Sequence, residues 1–189
     1  GDRDGKDGKH NRDTVLTNDI GEDNMETRRL PPHDTEAEEA VIGSLLVDGE
    51  LIKDTAHDLR PEDFFSQVNG WIYEACLRVY QRNEGINEVT VAHQLSRDQR
   101  LEGIGGVAHL AYLVSRVPDP YLVRHYADIV IRLSHRRQLI SEAAKMARAA
   151  YDMSGPEAAD VLESAINRLT FLRATWTVGP KLPRGGALL

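Results

Sequence analysis

The strongest constraint on this chain is a run of apolar positions between Tyr121 and Arg173. Tyr126, Val130, Leu133, Ile140, Ala144, Ala147 and Tyr151 recur at alternating spacings of four and three, broken only at Arg137. That period makes a seam along one face of a helix built to pack on another helix. After a polar break at Asp152-Met153-Ser154-Gly155, with Pro156 where a first helical turn tolerates it, the spacing returns. Ala158, Leu162, Ala165, Leu169 and Leu172 carry it. The pattern predicts an antiparallel helical hairpin over 119–175. At about 1.5 Å per residue a helix from Tyr121 to Tyr151 would be roughly 45 Å long, longer than a small domain is wide. Part of it must project or meet another chain. Tyr126, Val130, Leu133, Ile140, Ala144, Ala147, Leu162 and Leu169 are therefore the candidate self-association residues.

Ahead of the hairpin, 30–118 reads as a small globule of about five short helices. Asp34 or Thr35 can cap the first, with Glu38 closing a capping box, and Ala37, Val41 and Leu45 make its stripe, widened by Ile42 and Leu46. A second runs from Glu50 to about Leu59 and is limited by Pro61. The paired Phe64 and Phe65 plug the core beneath a third, about Asn69 to Arg82, whose Ile72, Cys76 and Val79 face inward. Thr90 is placed to cap a fourth. Gly103-Ile104-Gly105-Gly106 separates it from a fifth, Val107 to Val117. No segment alternates with period two, so the expected fold class is all-α. Residues 1–29 hold almost no apolar side chain and are expected to be a disordered tail, and 176–189 reads as a linker or tail rich in Pro and Gly.

Charge separates the two parts. The stretch 30–118 holds 7 basic and 15 acidic residues, a balance of −8, whereas 121–176 holds 8 basic and 6 acidic, a balance of +2. An acidic globule repels phosphate, so nucleic acid is expected to bind weakly at most. Arg132, Arg136 and Arg137, with His135, form a basic cluster midway along the long helix that could touch a nucleic-acid backbone or an acidic partner. Arg137, which interrupts the seam, could instead form an ion pair that fixes register. Cys76 is the sole cysteine, which excludes an intrachain disulfide and a cysteine-rich zinc site. No apolar run reaches the roughly 18 residues of a membrane span, so a cytoplasmic protein is expected.

Signs of catalysis are sparse. His57-Asp58, with His33 and Asp34 upstream, has the residue types of a metal-dependent hydrolase, but spacing supplies no further ligands. Glu36, Glu38 and Glu39 are accounted for by the first turn of a helix. The glycines at 103–106 follow no strand, and no Gly-Lys-Ser or Gly-Lys-Thr occurs anywhere, so a tight interhelical turn explains them better than a phosphate loop. No catalytic, cofactor-binding or metal residue is assigned.

One ordered set of short motifs adds to this reading. Leu30-Pro31-Pro32-His33, Glu36-Ala37-Glu38, Val41-Ile42-Gly43, Pro61-Glu62-Asp63-Phe64-Phe65, Ile72-Tyr73, Val89-Thr90-Val91, Leu101-Glu102, Gly105-Gly106-Val107, Tyr112-Leu113, Val117-Pro118 and Tyr126-Ala127-Asp128-Ile129-Val130 follow one another at these intervals. The set resembles the amino-terminal domain of DnaB-type replicative DNA helicases over about 30–173. The resemblance implies a scaffold in DNA replication. Hairpins pair between subunits, giving a homo-oligomer from dimer to hexamer, and the resulting collar receives DNA primase within a primosome and influences the helicase loader's work. ATP binding with magnesium, and unwinding, belong to a carboxy-terminal motor whose Walker motif this chain lacks, so no cofactor is expected here. A stand-alone adaptor of phage or plasmid type, regulating a host helicase, is the alternative. Asn69 stands where the family usually has a histidine, and Gly70 beside it weakens the start of that helix.

Overall fold

A computed structural model describes residues 30–177. The expected tail 1–29 lies outside the described residues, as do positions 178–189 of the expected linker. Within the described residues the chain is all-helical, without strands. Seven α-helices follow in order: α1 Thr35–Val47, α2 Ile52–Thr55, α3 Gln67–Gln81, α4 Glu88–Arg97, α5 Gly106–Ser115, α6 Val123–Tyr151 and α7 Ala158–Thr177. Short 3₁₀ turns at Gly49–Leu51, Pro61–Asp63, Glu102–Ile104 and Pro120–Leu122 join several of them.

Helix α1 is the axis of the globule. Asp34 caps it by accepting from the Ala37 N–H at 3.0 Å, which satisfies one of the amide donors left open at a helix start. The expected single stripe proves too narrow. Ala37, Ala40, Val41, Ile42, Gly43, Ser44, Leu45 and Leu46 are all buried, because α5 and α6 both pack on this helix and α3 closes a further side. An α-helix covered on several sides needs small or apolar residues nearly all round. Gly43 shows how tight the fit is. A Cβ there would stand 2.2 Å from Val117 Cγ2 and 2.5 Å from the Leu113 carbonyl oxygen, so glycine is what lets the end of α5 lie against α1.

Local chemistry corrects several expected boundaries. The second helix is a single turn, since Gly49–Leu51 is 3₁₀ and the chain leaves helix after Thr55. Its exit is held by the Tyr73 hydroxyl, which donates toward the Leu59 carbonyl at 3.3 Å. Helix α4 is capped by Asn87, which accepts from Val89 and Thr90 at 3.0 Å each, while the Thr90 hydroxyl accepts in return from the Asn87 N–H. Thr90 is thus the reciprocal partner and not the cap. Only Phe64 plugs the core, tilted against Tyr73 with ring centroids 5.2 Å apart, whereas Phe65 is partly exposed.

Helix α6 belongs to both halves of the molecule. Val123, Ala127, Val130 and Ser134 are buried, at spacings of four, three and four, so its first three turns complete the core around α1. From Arg136 on, no residue of α6 is buried. Helix α7 returns along that outer half, burying Val161 and Ala165, and it stays helical through Thr177, beyond the start expected for the linker.

Candidate interaction surfaces and the polar junction

Where α6 leaves the globule, three charged side chains come together. Glu38 is only 2% exposed. Its carboxylate accepts from the Phe65 N–H at 2.6 Å, the Ser66 N–H at 3.1 Å and the Asn69 side-chain amide at 3.2 Å. A buried carboxylate is tolerated when several donors replace its water. Glu38 is therefore no capping-box partner: it fastens the start of α3 to α1. Gly70 serves the same approach, since a Cβ there would meet the Pro61 carbonyl oxygen at 2.8 Å. Asn69 supplies one N–H to Glu38, a bond that an imidazole N–H could also make.

Asp63 accepts from the Arg60 N–H at 2.9 Å and from the Ser134 hydroxyl at 2.6 Å. Arg137 donates to the Pro32 carbonyl at 2.7 Å and to the Asp63 carbonyl, with its guanidinium 5.8 Å from the centre of the Phe65 ring. His33 stacks on Phe65 at 4.2 Å. Burial lowers the Arg137 pKa while Glu38 and Asp63 oppose the shift, so the guanidinium lies in the field of two carboxylates. Of the roles open to Arg137, the structure realises a contact within its own chain, through carbonyls rather than through an ion pair with another helix.

The two hairpin helices meet around Val161 and Ala165, buried side chains of α7, and through several polar contacts. His135 stacks on Trp176 with centroids 4.3 Å apart, the Trp176 indole N–H donates to Gln138 at 2.9 Å, and Arg168 donates to Glu142 at 2.7 Å. The seam read from the sequence lies elsewhere. Val130 is buried in the chain's own core, and Tyr126 and Leu133 are half-buried. Ile140, Ala144, Ala147, Leu162 and Leu169 are exposed, with Ile140 at 52% and Leu162 at 57%. At about 100° per residue, Ile140 and Ala147 of α6 lie far round, on the face turned away from α7, while Leu139 and Met146 lie to one side of the line toward α7. Leu162, Ile166 and Leu169 flank the Val161–Ala165 contact on that same side, so the hairpin presents one apolar ridge drawn from both helices.

The remaining candidates are not assembled into a reaction centre. Asp58 pairs with Arg124 at 2.7 Å, and His57 is exposed. Among the described residues no group of three or more His, Cys, Asp or Glu is placed to hold a metal ion. Arg132 donates to the Asp128 carbonyl one turn back, and Arg136 is exposed. Cys76 is fully buried, and burial pushes its thiol up to about 12, which suits a core side chain rather than a nucleophile. An open cleft of about 260 Å³ on the globule has Asp34, Glu36 and Glu39 on one side, with Arg116, Tyr126 and Ile129 also lining it.

Fold and surfaces together define an all-α module whose buried polar groups hold helices in place and whose hairpin leaves an apolar ridge open. The model of the DnaB-like helicase N terminal domain matches residues 30–132, and the chain belongs to that family. It is 38% identical over 125 residues to the replicative DNA helicase DnaB of Geobacillus stearothermophilus, a match covering 66% of this chain and 28% of that protein. The chain thus spans little more than a quarter of that relative's length. The crystal structure of the N-terminal domain of DnaB helicase from Mycobacterium tuberculosis superposes with a TM-score of 0.69 at 32% identity, over 75% of this chain and 99% of that one. A DnaB-like replicative helicase described with its interactions with primase shares the fold, with a TM-score of 0.63 at 21% identity over 82% of this chain and 33% of that one.

Proposed function

We propose that this chain is the amino-terminal scaffold of a replicative DNA helicase. Copies associate through their hairpins, and the globule offers the surface that DNA primase engages. One observation carries the reading: the ridge formed by Leu139, Met146, Leu162, Ile166 and Leu169 is exposed on the hairpin. A continuous apolar face of this kind is costly to leave in water, and it has the breadth a second hairpin needs. Family membership supports the assignment to helicase and primase, and the acidic side of the cleft suits a basic surface on the partner. ATP and magnesium would be handled by a motor outside these residues, and a cytoplasmic setting goes with the reading.

Replacing Leu162 and Leu169 together by Asp tests it, because both side chains are exposed and the fold of one subunit does not need them. Sedimentation at micromolar concentration should find dimers or larger rings for the natural chain and monomers for the Leu162→Asp/Leu169→Asp variant, with unchanged helical circular dichroism. A natural chain that stays monomeric at every concentration would end the proposal.

A further inference from the structure

The two halves of α7 are held very differently. Its buried side chains, Val161 and Ala165, both lie in its first half. From Arg168 onward no described side chain is buried. Its contacts with α6 include the bond from Arg168 to Glu142, the His135–Trp176 stack and the bond from Trp176 to Gln138. A segment with few buried apolar contacts opens locally at a fraction of the cost of global unfolding.

The far end of this attachment runs into the globule. Gln138 accepts from the Trp176 indole through its side-chain oxygen and donates through its amide nitrogen to the Ser134 hydroxyl at 3.2 Å. Ser134 is buried and donates to Asp63 at 2.6 Å, and Asp63 also accepts from the Arg60 N–H. Four side chains therefore form one directed series of hydrogen bonds from the last turns of α7 to the turn Pro61–Asp63. Each member polarises the next, and Ser134 has only one proton to give.

We propose that the second half of α7 is a detachable strap whose docking is coupled to the Pro61–Asp63 turn through Gln138 and Ser134. A load or partner acting on the end of α7 is then felt at the turn that also carries the contacts of Arg137 and Arg60. This coupling does not depend on self-association, because every member of the series belongs to one subunit.

The test reads the strap from a residue that does not touch it. In a Trp71→Phe background, Trp176 is the only tryptophan, and acrylamide quenching reports its opening. Ser134→Ala removes the hydroxyl in the middle of the series while leaving Trp176, Gln138 and His135 in place. The expected result is a rise of about five-fold or more in the open fraction, the size of an ordinary coupling between sites. Linkage requires the reverse effect, so Trp176→Phe, which keeps the stack and loses the N–H donor, should speed hydrogen exchange at the Arg60 amide. Phe171→Ala, on an exposed face of the same helix, should do neither. Unchanged quenching in Ser134→Ala, or unchanged Arg60 exchange in Trp176→Phe, would make the docking purely local and overturn the proposal.

Discussion

The globule and the hairpin invert each other's arrangement of polar and apolar groups. Around α1 the large apolar side chains are covered, and buried polar ones such as Glu38, Asp63 and Ser134 are matched by donors and acceptors. Along the outer half of α6 the partly covered positions include His135, Gln138 and Glu142, while Leu139, Ile140 and Met146 face outward. One continuous helix supplies both, and its character changes within a turn of Ser134. An apolar exterior on a polar-sided hairpin makes sense when a further surface completes it.

Shaving equivalent side chains in the two regions should separate them by the largest margin. Ile42 is fully buried beneath the helices that pack on α1, and Ile42→Ala should cost about 3 kcal/mol through lost transfer energy and the cavity left behind. Ile140→Ala should change the stability of a single subunit by no more than about 0.5 kcal/mol, as exposed substitutions do. Urea denaturation at a concentration low enough to keep subunits apart measures both. Equal losses would mean that Ile140 is packed within the chain.

A smaller effect tests the junction. Leaving a buried carboxylate short of a donor costs roughly 1–3 kcal/mol, so Asn69→Leu, which removes a donor to Glu38, should fall in that range. Asn69→His restores an N–H and should recover most of the loss. If the leucine and histidine variants unfold at the same urea concentration, the side-chain bond to Glu38 contributes nothing.

Much of this was legible before any coordinates, and the failures share a cause. Helix number, the hairpin and the all-α class follow from spacing and breakers, which are local properties of the chain. What spacing leaves open is which neighbour covers a stripe. Val123, Ala127, Val130 and Ser134 form the face of α6 that is buried, in a phase that overlaps the predicted seam at Val130 alone. Both phases are apolar enough to qualify, and only the position of α1 decides between them. Glu38 lies three residues before Val41 and seven before Leu45, a spacing that puts it on the buried side of α1. Capping and the helix dipole account for a carboxylate in a first turn so readily that this spacing alone does not reveal the burial. Gly70 looked like a weak helix start for the same reason: close approach to the Pro61 carbonyl is a tertiary fact. Trp176 fell at the edge of an expected linker, with no local sign that His135 and Gln138 would receive it.

The mildest prediction asks whether the hairpin's polar interface carries charge that the core does not need. Glu142 lies between Lys145 and Arg168, at 2.6 and 2.7 Å. Its hydrogen bond from Lys145, then the charges and bonds of Lys145 and Arg168, lower its pKa below the ordinary carboxylate value while desolvation acts against them. A carboxylate with a lower pKa in the folded than in the unfolded chain stabilises the fold at pH above the unfolded value and loses that contribution as pH falls through the folded one. The Glu142 contribution to hairpin docking should therefore hold down to the carboxylate range and be lost only below it, while His135, whose pKa burial lowers, gives a separate loss at higher pH as it protonates against Trp176; both are seen as a rise in Trp176 quenching. Other carboxylates protonate in the same acid range as Glu142, so the informative quantity is the difference between the natural chain and Glu142→Gln. The glutamine variant should start with looser docking and show a flatter acid limb, and high salt should shrink the gap between the two because the pair is close to solvent. Superimposable acid limbs would mean that the Glu142 charge contributes nothing to the attachment between α6 and α7, leaving it to contacts such as the His135–Trp176 stack, the Trp176–Gln138 bond and the Val161–Ala165 packing.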